Sequence, residues 1–256
     1  MLKQLPNLFT LLNLFFGCIA IVYILQSNQY FVVYEYTQPE QVNLPIQWCY
    51  GSLFIGLAAV VDFFDGFVAR LLNATSDMGK QLDSLADCVS FGVAPSLIMY
   101  QLLRYGYMQQ PNGITTPLLL LTPAFIVACA AAYRLATFNL STTQTTYFEG
   151  VPTPAVGLVI ASLPLILYYT SSNIVATVVI SPYLVYALIA TLSWLMVCKY
   201  RMLSLKLKKE AFTLKNPLLY IALSTIITAI LMGWWCVPIC FVSYIGASLF
   251  TQKNIK

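Results

Sequence analysis

The chain has 256 residues, of which 59% are hydrophobic and only 9% charged, with thirteen Lys and Arg, nine Asp and Glu, and no histidine. A soluble domain carries about a quarter charged residues to meet water, so this composition, with a mean hydropathy of +0.78, excludes a soluble globular protein and points to several membrane spans. The missing histidine excludes a histidine general base, a Ser–His–Asp triad and a His-ligated zinc site.

About 20 apolar residues cross a bilayer, and runs of that kind predict spans near 8–25, 48–69, 82–103, 117–138, 153–170, 174–198, 217–234 and 236–250. The expected fold is all-α, a polytopic bundle of about eight transmembrane helices forming one integral membrane domain over 1–256. The first run follows Lys3 but is too long for a signal peptide, and no small-residue cleavage site follows at 26–30, so it reads as a retained span. The last two runs are short and joined by a tight turn around Trp235 to Pro238. The seven cysteines are scattered through apolar stretches with no C-x-x-C pair and read as small hydrophobes within helices.

Charge orients the bundle. With the N-terminus inside, the cytoplasmic segments hold Lys3, Arg70, Lys80, Arg134, the loop from Lys199 to Lys215, Lys253 and Lys256, which is twelve of the thirteen basic residues. Arg104 alone falls outside, and the first external loop carries Glu35 and Glu40 without a basic residue. This is the positive-inside pattern. It places both termini, and the junction between spans two and three, in the cytoplasm. The basic stretch 199–215 is a topology determinant or a site for anionic headgroups.

All five aspartates, Asp62, Asp65, Asp77, Asp83 and Asp87, fall within one 26-residue window at that junction. Helical spacing puts Asp62, Asp65, Gly66, Ala69 and Arg70 on one face at the end of span two, and stacks Gly79, Asp83 and Asp87 at the start of span three. Two consecutive helices joined by a short loop lie side by side, so four carboxylates converge at the cytoplasmic end of the bundle. Clustered anions at membrane depth repel one another and are costly to desolvate. Oxygen-only ligation calls for a hard divalent ion, Mg²⁺ or Mn²⁺, and room for two ions suits phosphoryl chemistry. Gly66, Ala69 and Gly79 leave space for a bulky ligand near the backbone. Intramembrane aspartates also mark ion paths, so a divalent-cation transporter is the competing class. It explains neither the small residues nor Arg70, and Asp77 reads as a loop or helix-start residue.

The string D-x2-D-G-x2-A-R-x8-G-x3-D-x3-D runs complete from Asp62 to Asp87 and resembles the signature of the CDP-alcohol phosphotransferases. That resemblance implies a two-metal site on a helical bundle, a CDP-linked donor, CMP as leaving group and a homodimer, with no nucleic-acid partner. It implies Asp62, Asp65 and Asp83 as principal metal ligands. Asp87 would complete the second site and act as general base toward the acceptor hydroxyl. Gly66, Ala69, Arg70 and Gly79 would line the CDP site.

The flanks narrow the resemblance. Pro6-Asn7-Leu8-Phe9-Thr10 with Asn13, the run Leu82 to Pro95, and Tyr133 to Asn139 followed by Gly150-Val151-Pro152-Thr153-Pro154 are similar to the phosphatidylserine synthase branch. This implies CDP-diacylglycerol as donor and L-serine as acceptor, with an acceptor segment over 133–154. Thr137 stands where that branch commonly carries a second arginine. Arg134 is the one cation of span four, and Asn139 lies about a turn further on. A guanidinium there can hold a carboxylate by two parallel bonds, or serve as an interfacial anchor. Ser84, Ser90 and Phe91 are candidates to shape the acceptor pocket or to pack between helices. Asn7 and Thr10 are candidates to touch the donor nucleotide or to cap the first helix. Other acceptors, such as glycerol phosphate or inositol phosphate, ask for more positive charge near the site than this sequence offers.

Overall fold

The computed structural model describes residues 5–26, 46–72, 76–110, 116–140, 148–202 and 217–252. Lys3, the loop with Glu35 and Glu40, the basic residues from Lys206 to Lys215, and Lys253 with Lys256 lie outside the described residues. Among the described residues the fold is helical, apart from a short antiparallel pair, β1 (Phe148–Glu149) with β2 (Arg201–Met202).

Helix α1 (Leu5–Leu25) buries Pro6, Thr10, Asn13, Gly17, Ala20 and Ile24, a stripe alternating steps of four and three. It packs along α2 (Ile46–Leu71) and against the helix that follows. Close approach is possible because Gly17 has no side chain: a Cβ there would lie 2.3 Å from Ser90 Oγ and 2.9 Å from Ser90 Cα.

Helix α3 (Asp77–Asp87) starts at Ser76, whose Oγ accepts the Gly79 N–H at 3.0 Å. Asp77 thus sits in the first turn, where the helix dipole favours an anion. The chain then winds through a π-helical segment, Cys88–Val93, into α4 (Ala94–Met108), and the Ala94 N–H bonds Val89 O, five residues back. Pro95 explains the change of pitch. It has no N–H to give in α register, and its ring would crowd the carbonyl four residues earlier. Ser96 Oγ takes up the Gly92 carbonyl at 2.8 Å.

The chain continues through α5 (Leu118–Leu121), a 3₁₀ stretch (Thr122–Phe125), α6 (Ile126–Leu140), α7 (Thr153–Tyr169), α8 (Asn173–Ile180), α9 (Pro182–Val197), α10 (Pro217–Met232) and α11 (Cys236–Gln252). Among the described residues, five helical runs are long and apolar enough to cross a membrane, and α8 with α9 would make a sixth. The single span expected at 174–198 is bent by 59° between those two helices. Pro182 removes a helix donor and holds Ser181 extended, at φ −54° and ψ 124°. The two short runs expected at 217–234 and 236–250 are α10 and α11, which the count above takes as one helical run, Ser224–Leu249. Gly233, at φ 56°, ends α10, slightly ahead of the turn expected at Trp235 to Pro238.

The core runs through α4 and α7. Ile98, Met99, Leu102 and Leu103 meet Val156, Ile160 and Leu163 in one continuous apolar cluster that also holds Trp48 and Phe91. Large apolar side chains such as Leu8, Phe15, Val60, Phe63 and Phe67 face outward, as in a protein whose solvent is lipid.

Candidate active site

Three helices build the site. The end of α2 supplies Asp62 and Asp65, α3 supplies Asp83 and Asp87, and α1 lies across both. One carboxylate oxygen each from Asp62, Asp83 and Asp87 lies within 4.8 Å of the others. At an effective dielectric of about 20, each fully charged pair at that distance repels by about 3.5 kcal/mol. Asp83 Oδ1 is buried without a hydrogen-bond partner. An all-carboxylate set with an unsatisfied buried oxygen fits a hard divalent cation.

Asp65 does not join that trio. Three residues on from Asp62, it is turned about 60° around α2, and its Oδ2 lies 3.0 Å from Thr10 Oγ1. The Thr10 hydroxyl is also 3.1 Å from the Pro6 carbonyl, so its single proton serves one acceptor at a time. Thr10 therefore links α1 to a carboxylate of the signature. Asn7, its neighbour one turn back, lies over Gly79: a Cβ on that glycine would meet Asn7 Oδ1 at 3.1 Å. Gly66 opens onto free space, with nothing within 4 Å of a Cβ. Ala69 is half-buried and Arg70 exposed on the same stretch of α2.

Asn13 was not among the site residues expected from sequence, and the structure puts it at the centre. It is fully buried, and its Nδ2 donates to Asp87 Oδ1 at 3.2 Å. Its backbone carbonyl accepts Ser90 Oγ at 3.1 Å, so Ser90 ties the π segment to α1, and it is itself fully buried. The available signal was an amide in the middle of an otherwise apolar span, which must find a partner there.

On the α6 side, Arg134 Nη1 donates to Thr153 Oγ1 at 2.8 Å, while Arg134 Nε is buried without a partner. The acidic group whose field it feels is Asp87. Asn139 Nδ2 donates to Ser84 Oγ at 2.8 Å, and Ser84 Oγ also reaches the Lys80 carbonyl at 3.1 Å. The four acceptor candidates thus separate: Arg134 lies near the aspartates, Asn139 and Ser84 bridge α6 to α3, and Ser90 belongs to helix packing. Phe91, buried on the same segment, packs against α7 at Gly157. Thr137 returns its hydroxyl to the Tyr133 carbonyl at 2.8 Å and, with Arg134 and Lys199, lines a pocket between α6 and the end of α9.

A family model described as CDP-alcohol phosphatidyltransferase matches residues 3–198, more than half of the chain, and the chain belongs to that family. Within it, the chain is similar to proteins named CDP-diacylglycerol–serine O-phosphatidyltransferase. It is 33% identical over 162 residues to that of Bacillus subtilis (strain 168), covering 63% of this chain and 76% of that protein. The Helicobacter pylori (strain J99 / ATCC 700824) protein is 35% identical over 157 residues, 60% of this chain and 54% of that protein. The Saccharomyces cerevisiae (strain ATCC 204508 / S288c) protein is 44% identical over 110 residues, 40% of this chain and 36% of that protein. The matched stretch therefore spans about three quarters of the first relative's length, about half of the second's and about a third of the third's.

Proposed function

We propose that this chain transfers the phosphatidyl group of CDP-diacylglycerol to the hydroxyl of L-serine, giving phosphatidylserine and CMP. The observation that carries the reading is the meeting of Asp62, Asp83 and Asp87, the first and last two aspartates of the signature, within 4.8 Å in a chain of this family. Those three, with Asp65 beside them, would hold one or two Mg²⁺ or Mn²⁺ ions. Bound there, a hard divalent ion would neutralise charge on the phosphate oxygens and on the leaving CMP.

The chain's own groups do the rest. Asp87 accepts the proton of the serine hydroxyl as its oxygen forms the new bond to the β-phosphorus and the bond from that phosphorus to CMP breaks. Asn13 fixes the Asp87 carboxylate through Oδ1, leaving Oδ2 for that role. Arg134, steadied by Thr153, binds the serine carboxylate through its planar fork. Gly66, Ala69, Arg70 and Gly79 form the CDP site, with Asn7 and Thr10 of α1 closing over it. Asn139 and Ser84 border the acceptor side.

The basic residues Arg70, Lys80 and Arg134 support a site open to the cytoplasm, in a protein of the cytoplasmic membrane. The family resemblance supports a homodimer. The test is CMP release from CDP-diacylglycerol by purified protein, with and without L-serine and across a panel of small alcohols. Serine-dependent release supports the reading and removes a divalent-cation transporter as the main function. Release that responds to glycerol phosphate or inositol phosphate instead keeps the chemistry and replaces the acceptor.

A further inference from the structure

The turn from Gly150 to Thr153, which leads from β1 into α7, fastens two cations at once. The Gly150 N–H donates to the Tyr200 carbonyl at 2.9 Å and the Val151 N–H to the Leu195 carbonyl at 3.0 Å, so the turn lies along the end of α9. The approach is close. Gly150 stands at φ 71°, and a Cβ there would lie 2.5 Å from the Met196 carbonyl oxygen and 3.1 Å from that of Cys198, which leaves room for glycine alone. At its far end the same turn meets α6, where Thr153 Oγ1 accepts Arg134 Nη1 at 2.8 Å. Lys199 precedes Tyr200. Its backbone is therefore pinned by the turn that also holds the Arg134 guanidinium.

Between α6 and the end of α9 lies a partly open cavity of about 130 Å³, with Arg134, Thr137 and Phe138 on one wall and Met196 and Lys199 on the other. A cavity of about 150 Å³ admits benzene, so this one suits a small amino acid and not a nucleotide. Its chemistry is that of an anion site with apolar walls. Arg134 Nε is buried without an acceptor, a costly omission that a bound carboxylate repairs. The Thr137 hydroxyl is already given to the Tyr133 carbonyl and does not compete. Helix α6 packs on α3 and on the π segment that begins one residue after Asp87, and Asn139 bonds Ser84 of α3. The wall that carries Arg134 is thus braced against the helix that carries Asp83 and Asp87.

We propose that this cavity receives the carboxylate of the amino-acid acceptor between two cations, and that Lys199 is the second of them, setting acceptor affinity from the wall opposite Arg134. The proposal rests on the serine reading above. A carboxylate has about four lone-pair sites: the planar fork of Arg134 takes two in one plane, and an ammonium on a flexible stem reaches another. Lys199 lies one residue beyond the stretch that the family model matches, at the head of the basic run 199–215, and the turn separates its role from that of a topology determinant.

The experiment uses the full-length protein in nanodiscs, with serine and CDP-diacylglycerol varied separately. Lys199 is exposed, so its charge is partly screened, and Lys199→Gln is expected to raise KM for L-serine about three- to tenfold. KM for CDP-diacylglycerol should not change. Lys199→Arg should keep most of the affinity because the charge remains. Thr137→Lys, added to Lys199→Gln, should recover affinity by returning an ammonium to the same cavity from α6, a rescue that a residue needed only for folding or orientation would not show. The shift should be equal in phosphatidylcholine discs with and without phosphatidylglycerol. An unchanged KM for serine, an equal rise in both constants, no recovery in the double variant, or a shift confined to anionic discs overturns the proposal, the last by assigning Lys199 to lipid headgroups. Wild-type protein assayed in parallel separates the two failures: without serine-dependent CMP release in the wild type, the reading beneath the proposal is what fails.

Discussion

Asn13 and Asp87 stand 74 positions apart in the chain and meet at 3.2 Å, Nδ2 to Oδ1, in the buried seam between α1 and α3. The amide holds one carboxylate oxygen and so decides which way the other faces. Partners that orient a metal-binding carboxylate typically matter 10- to 100-fold in metal affinity or activity. Asn13→Leu is expected to raise the metal concentration for half-maximal activity by about that factor. A metal titration of CMP release in the wild type and the variant measures it.

Asp83→Asn removes a charge from the carboxylate trio and places an amide where Oδ1 has no donor to meet it. Activity should fall about a thousandfold or more, in keeping with the several kcal/mol a metal site contributes. EDTA should silence the wild type to a similar degree, and gel filtration should show the variant eluting as the wild type does. Near-normal turnover in either case ends the metal model.

Arg134→Met keeps length and apolar bulk but loses the fork that Thr153 steadies. KM for serine should rise about 30-fold or more, far beyond any change in KM for CDP-diacylglycerol. Arg134→Lys should recover part of the loss, since an ammonium cannot reproduce two parallel bonds. Steady-state kinetics in both substrates distinguishes this from general damage to the bundle.

Gly17→Ala drives a methyl group into Ser90, with Oγ at 2.3 Å and Cα at 2.9 Å from the new carbon. Overpacking of this kind costs about 1–3 kcal/mol. The melting temperature in detergent should drop, and activity with it, because the same seam carries Asn13 and Asp87. Adding Ser90→Ala should restore only part of the stability, since the Ser90 backbone is as much in the way as its hydroxyl.

The junction between α2 and α3 should be open to the cytoplasm. Met78 is exposed beside the Ser76 cap without taking part in it, so Met78→Cys in a cysteine-depleted background is a mild probe. An impermeant thiol reagent should label it in inside-out vesicles and not in intact cells. The reverse pattern inverts the topology.

What could be read from the residues and what could not divides along physical lines. The aspartate signature was legible because helical periodicity alone decides which residues of Asp62 to Asp87 share a face. The turn of Asp65 toward Thr10 was not, since it depends on where α1 lies. The break between α8 and α9 was written in Ser181-Pro182, but a hydropathy run passes over it. Asn13 advertised itself as polar, without naming its partner 74 residues away.

The π segment has a further consequence for how the third span tolerates change. A π turn is an α-helix carrying one additional residue, and one residue of helix is about 100° of rotation. Were Cys88–Val93 wound as α-helix without change of length, the two halves of the span would be out of phase by about that angle; the π turn absorbs the additional residue. Either Asp83 and Asp87 would keep facing Asp62 while Ile98, Met99 and Leu102 turned out to the lipid, or the reverse. The segment acts as a phase joint: upstream, the helix is clocked to the reacting groups, and downstream, to the hydrocarbon. A deletion of one residue within the π turn can therefore be absorbed by relaxation to α pitch, whereas the same deletion elsewhere along the span turns one half against the other.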